Sequence, residues 1–239
     1  MLSNINYRLT CFADYSLLEY NKADVISILN AFDSVVLTPA VIDEISLSGL
    51  KSQRMQFASQ DGLLLININS NRIDIQIMSK EKTGFAESEI ESIKINLCSY
   101  IEKLYTVFAE RVPLPNRLAW FTIYVYFETT KDERKAFRNK FLKPLKFFNK
   151  DRLDDLFIRY GAKRNVMIGK RDERLNVMTT VKHLQIGTMQ EEKFNGYQIE
   201  YDINTWQFNV ISRFSMDDFS EFCNKAIKIQ DELNREVLP

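Results

Sequence analysis

One histidine, His183, is the only imidazole in a chain of 239 residues, so any chemistry that needs paired imidazole ligands or a histidine base has a single residue to rest on. It lies in the alternating run VMTTVKHLQIG (177–187), where an edge-strand or surface-strand position accounts for it. Nothing near it forms a nucleophile elbow or a triad pattern. Two carboxylates and a lysine offer another chemistry. Asp172, Glu191 and Lys193 have the residue types of a metal-dependent nuclease, in which carboxylates hold magnesium and an ammonium steadies the attacked phosphate. Glu191 and Lys193, however, fall in a polar stretch just before the turn pair Asn195-Gly196, the setting of a solvated loop. These three are the only catalytic candidates, and no metal-ligand spacing or cofactor motif accompanies them. GAKRNVMIGKR (161–171) has the glycines and lysine of a phosphate loop, but seven residues separate Gly161 from Gly169 and Arg171 stands where a hydroxyl is required.

One constellation survives better. Between Lys131 and Arg174 fifteen basic residues face seven acidic ones, leaving this stretch at +8 in a chain whose 32 basic and 32 acidic side chains otherwise balance. Lys131, Arg134, Lys135, Arg138, Lys140, Lys143 and Lys146 interleave with Phe137, Phe141, Phe147 and Phe148. Basic charge with aromatic rings is the composition of a nucleic-acid groove or of a surface for an acidic partner. The competing explanation is an amphipathic helix. Phe137, Phe141 and Leu145 share one stripe, which makes the rings core and the lysines a solvated face, with Pro144 ending or kinking the helix.

The elements that would position these groups follow from periodicity. In LLLININSNRIDIQIM (63–78), Ile73, Ile75 and Ile77 alternate with Arg72, Asp74 and Gln76, and Asn69-Ser70-Asn71 supplies turn residues, so a hairpin is expected. Phe85 to Arg111 then repeats apolar residues (Ile90, Ile93, Leu97, Tyr100, Ile101, Leu104, Phe108) at spacings of three and four. That is a long amphipathic helix, opened by Glu87, Glu89 and Glu91 and stopped before Pro113 and Pro115. Asn195 to Ile211 and Phe214 to Pro239 repeat the plan, with Phe219, Phe222, Ala226, Ile229 and Leu233 on one helical face. Arg117 to Glu128 is strand-like, as are Asp33 to Ser46 and Ser52 to Ser59.

The expectation is therefore an α+β fold of two similar halves, residues 1–113 and 116–239, either as two domains or as one intimate one. Each half is an antiparallel β-meander or hairpin followed by a long amphipathic helix packed on the sheet. Residues 61–111 and 195–239 should superpose. Ile73, Ile75, Ile77, Phe208 and Val210 should face inward, with Asp74, Gln76 and Asn209 facing solvent or a groove.

Four segments carry a resemblance: Arg54 to Gln76, Arg159 to Ile168 (RYGAKRNVMI), Glu173 to Met178 (ERLNVM) and Tyr201 to Ala226. On these the chain resembles a sporadically distributed family of uncharacterised bacterial proteins of similar length. That resemblance implies a two-part α+β fold and supplies no catalytic residue. In topology alone the chain is similar to the SecB-like export chaperones, whose halves join antiparallel strands to long helices.

Cys11, Cys98 and Cys223 are few and unpaired in spacing, which fits a reducing compartment and three free thiols, with Cys98 and Cys223 as core residues of the two helices. No signal peptide and no run of about 20 apolar residues is present, so a cytoplasmic protein without a membrane span is expected. The functional expectation is a non-enzymatic binding or interaction protein, chaperone-like or partner-dependent, that self-associates or takes a protein partner and needs no cofactor. The alternative is a nucleic-acid-associated factor or nuclease using residues 131–174.

Overall fold

A computed structural model describes residues 2–45, 48–80, 84–109, 111–127, 131–141, 156–186 and 194–237. The first stretch of chain contributes β1 (Leu2–Phe12), α1 (Lys22–Ala31), β2 (Leu37–Ile45), β3 (Lys51–Ser59), β4 (Leu64–Ile68), β5 (Arg72–Met78) and α2 (Ile90–Phe108), with a 3-10 turn at Glu87–Glu89. The second contributes β6 (Arg117–Phe127), α3 (Lys131–Phe141), β7 (Phe157–Ile168), β8 (Arg171–Ile186), β9 (Phe194–Thr205) and α4 (Met216–Val237). All nine strands form one antiparallel sheet in the order β2-β3-β4-β5-β1-β6-β9-β8-β7. Two meanders, β2 to β5 and β7 to β9, each return to pair with the strand that opened their own stretch. The two opening strands, β1 and β6, meet at the centre. Among the described residues no helix is long and apolar enough to cross a membrane.

The strand period of two sorts side chains onto two unlike faces. Tyr7, Leu9 and Cys11 of β1, Ile73 and Ile75 of β5, Leu118 and Trp120 of β6, and Ile203 of β9 belong to a single core under α2 and α4. The helices bury the expected stripes: Ile93, Leu97, Ile101, Leu104 and Phe108 from α2, and Phe219, Phe222, Ala226 and Ile229 from α4. The thiols of Cys98 and Cys223 meet between these helices, Sγ to Sγ 3.9 Å, and all three cysteines are free and buried. A smaller core gathers Tyr124, Tyr126, Tyr197, Ile199 and Tyr201 under Phe137 of α3. Phe137 stacks on Tyr126 at 5.2 Å and on Tyr197 at 4.6 Å, so it is a core ring as its helical stripe implies.

Two expectations are corrected. The hairpin at 61–78 is present as β4 and β5, but its proposed counterpart at 195–211 is not a hairpin. β9 is one unbroken strand, and residues 206–213 leave the sheet. Phe208 and Val210 are 70% and 77% exposed, not inward-facing. The cause is topological: β9 is already flanked by β6 and β8, so a returning strand has no free edge to pair with. Asp74 lies on the face opposite the helices, as its alternation with Ile73 and Ile75 expects, but it is buried there, with Thr10 Oγ1 donating to it at 2.6 Å and Arg72 pairing with it at 2.9 Å.

Candidate nucleic-acid interface

The sheet face opposite α2 and α4 carries the alternate residues of the same strands, and there cations and aromatic rings face each other across the ladder. Arg8 on β1 lies opposite Phe121 on β6, its Cζ 4.6 Å from the ring centroid. Two positions further along, Thr10 lies opposite Ala119, and beyond them Phe12 lies opposite Arg117, whose Cζ is 3.5 Å from the Phe12 ring. Directly opposed strand residues are close enough for such pairs to contribute energy, and a guanidinium over a ring face is attracted by the ring quadrupole.

The loop that follows β9 completes the site. Trp206 folds back over the β7–β8 hairpin, where Lys163 Nζ lies 4.6 Å and Arg174 Cζ 5.4 Å from its ring, and Phe208 meets it edge-on at 5.2 Å. Arg213 anchors this loop: it donates to the carbonyls of Asn116, Asn209 and Ile211 and is held in a bidentate pair by Glu173, at 2.7 and 3.1 Å. Between loop and sheet is a hollow of about 740 Å³, lined by Arg117, Lys163, Asn176, Asn204, Trp206 and Phe208 among others. A second hollow of about 380 Å³ continues it past Arg117 toward Phe12 and the Ser70-Asn71 turn.

The charge of this groove is unspent. Among the described residues, Arg8, Arg117, Lys163 and Arg174 have no salt-bridge partner, whereas neighbouring Lys182 is paired with Glu200 at 2.6 Å. Arg117 Nε is buried without a hydrogen-bond partner. Burial works against its charge and lowers the guanidinium pKa, with Asp202 opposing that shift and Arg72 adding to it. An anion placed beside Arg117 relieves that cost. Asp202 is the one carboxylate among the described lining residues of the larger hollow, and Asn204 Nδ2 donates to it at 3.0 Å. Such an arrangement has the chemistry to hold phosphates and stack flat rings, and among the described residues it presents no nucleophile with an adjacent base.

The catalytic candidates are not brought together among the described residues. Asp172 is exposed on β8 beside the Gly169-Lys170 turn, and Glu191 and Lys193 lie outside the described residues. The phosphate-loop-like segment is β7, a two-residue turn and the start of β8, so its backbone amides serve the ladder. His183 is on β8, an interior strand and not an edge, half-buried with its ring 5.8 Å from Tyr197. Of the basic segment, Lys131, Arg134, Lys135, Arg138 and Lys140 lie on α3, with Lys140 exposed, while Lys143 and Lys146 fall outside the described residues.

Lys163 and Arg174 belong to the basic segment 131–174 already singled out, whereas Arg8, Arg117 and Trp206 escaped sequence reasoning because the groove draws on five strands. One signal was available: RLTCF (8–12) and RLAWF (117–121) share an arginine, a leucine and a phenylalanine at identical spacing in the two central strands. Fold and site together define an α+β protein with one helix-covered sheet face and one cationic, aromatic face. No known family model matches the chain, and neither does any curated protein.

Proposed function

We propose that this chain is a binding protein, not an enzyme, and that its open sheet face takes single-stranded nucleic acid. The observation that carries the reading is the row of four cations, Arg8, Arg117, Lys163 and Arg174, each against an aromatic ring and none with a carboxylate partner among the described residues. Phosphates answer the charge, and bases stack on aromatic rings whatever their sequence. A duplex hides its base faces and gains only the charge term.

The test is fluorescence anisotropy with a labelled single-stranded oligonucleotide across a salt series. Four phosphate contacts predict a log–log salt slope of about −3. Trp206→Ala should cost about 1–3 kcal/mol of binding through lost stacking. Lys163→Glu with Arg174→Glu should weaken binding and flatten the slope. Absence of binding at low salt overturns the proposal, as does a duplex that binds equally well with no dependence on Trp206.

A specific observation supports a second reading, self-association. Phe208, Val210 and Ile211 are each at least 70% exposed on one loop beside the groove, and apolar side chains grouped in this way favour a protein partner. Light scattering on the same samples separates the readings, since a dimer lost in Phe208→Ser and indifferent to oligonucleotide supports the second.

The two stretches of chain also support an origin by duplication. β1 and β6 carry the shared R-L-x-x-F pattern and each precedes a helix, a meander and a long helix; their antiparallel pairing sets Arg8 against Phe121 and Phe12 against Arg117. A two-fold axis at the Thr10–Ala119 pair accounts for that exchange. β2 has no counterpart among the described strands of the second stretch.

A further inference from the structure

On the helix-covered face, far from the groove, a hollow of about 400 Å³ opens between the start of α2 and the last turns of α4. Its floor depends on a strand irregularity. Tyr7, Leu9 and Cys11 point to this face, so strict alternation would send Asn4 to the other one; a β-bulge between Asn4 and Asn6 resets the register and pairs Asn4 with Tyr124 instead. Asn4 is 7% exposed, and its Oδ1 accepts from Thr122 Oγ1 at 3.2 Å, but its Nδ2 has no hydrogen-bond partner. Beside it Asn234 Nδ2 donates to the Tyr124 hydroxyl at 3.1 Å, leaving the buried Asn234 Oδ1 without a partner. A buried donor and a buried acceptor thus belong to two residues that line one hollow, each costly to leave unmet.

One wall is apolar, formed by Phe85 and Ile90. Gly84, at φ +76°, passes so close to the Asn4 backbone that a Cβ would collide with it, and Phe85 N donates to Asn4 O at 2.7 Å. That close approach sets Phe85, and after it Ile90, along one side. The rim is charged, with Glu87, Asp231 and Arg235. Burial raises the Asp231 carboxyl, Arg235 opposing the shift and Glu87 adding to it, so a cation at this rim is favoured.

We infer that this hollow is a site for a free α-amino acid with an apolar side chain, its carboxylate on Asn4 Nδ2 and Arg235, its ammonium on Asp231, Glu87 and Asn234 Oδ1. Each simpler ligand leaves something unmet. A carboxylate alone meets a rim of two acids and one base, a cation alone leaves the Asn4 amide bare, and a neutral molecule leaves the charges of Glu87, Asp231 and Arg235 unanswered. The volume falls within the range of about 300–1,000 Å³ usual for small-molecule sites. The inference does not rest on the groove.

Isothermal titration with L-leucine tests it, using N-acetyl-L-leucine, which lacks the ammonium, and L-leucine methyl ester, which lacks the carboxylate. Leucine should give saturable binding, and each derivative should bind at least about tenfold more weakly. Asp231→Asn, at the half-exposed rim, should weaken leucine at least about tenfold. Asn4→Ala should do the same, and if it fails to fold, Asp231→Asn alone decides. Trp206→Ala should leave leucine binding unchanged, which separates failure here from failure of the groove. The inference falls if leucine shows no saturable heat, if either derivative matches it, or if Asp231→Asn binds it as the parent does.

Discussion

Glu173 and Arg213 show how a single pair decides the shape of a site. Both side chains are more than nine-tenths buried, and the guanidinium spends its remaining donors on three loop carbonyls. Removing one partner of such a pair leaves an uncompensated buried charge, so Glu173→Gln should cost about 3–5 kcal/mol in urea denaturation and loosen the 206–213 loop. An unchanged midpoint would show that water already reaches the pair. Asp218 acts through pH. Burial alone would raise its carboxyl, but the Ser215 backbone N–H and hydroxyl at 2.7 and 2.8 Å, together with Arg171 at 2.5 Å, hold it below the usual carboxylate range. The folded state therefore binds this proton less readily than the unfolded one. Its stabilisation is complete above the unfolded pKa and is lost as pH falls through the folded one. The melting-temperature gap between the parent and Asp218→Asn should be widest near neutrality, narrow below about pH 4 and vanish in stronger acid. A gap that persists in acid would assign the effect to packing.

At the scale of elements, two segments with the same alternation have opposite fates. β4 and β5 close a hairpin because β5 finds β4 on one side and β1 on the other. Residues 206–211 continue an equally alternating pattern into solvent, since both edges of β9 are taken. The helices behave as their stripes imply, because an amphipathic face needs only some apolar surface to cover, whereas a strand needs a particular free edge. Phe219→Ala should therefore cost about 3–5 kcal/mol, as truncation of a fully buried ring does, while Phe208→Ala should stay within about 0.5 kcal/mol. Thermal melts of the two variants distinguish this arrangement from one in which both rings are core.

At the scale of the whole molecule, formal charges that cancel conceal a polarised object. One sheet face is apolar and covered by helices; the other carries Arg8, Arg117, Lys163 and Arg174 against the half-buried rings of Phe121, Phe12 and Trp206. Local periodicity was enough to read the fold class, the two long helices, β6 and the first hairpin, because each of those patterns repeats within a few residues and depends on nearest neighbours along the chain. The core role of Phe137, Cys98 and Cys223 was legible for the same reason. The basic segment 131–174 is legible because its charges lie close together in sequence, yet closeness in sequence says nothing of what faces them. The groove joins side chains from positions 8 to 213, and which of them meet was decided by strand order, by a register that set Arg8 against Phe121, and by the Arg213 anchor. The pocket at Asn4 depends on one bulge that reverses the faces of the residues before it, Asn4 among them. Such juxtapositions are long-range, fixed by which edges remain free once the sheet has assembled, and no local pattern in the chain encodes them.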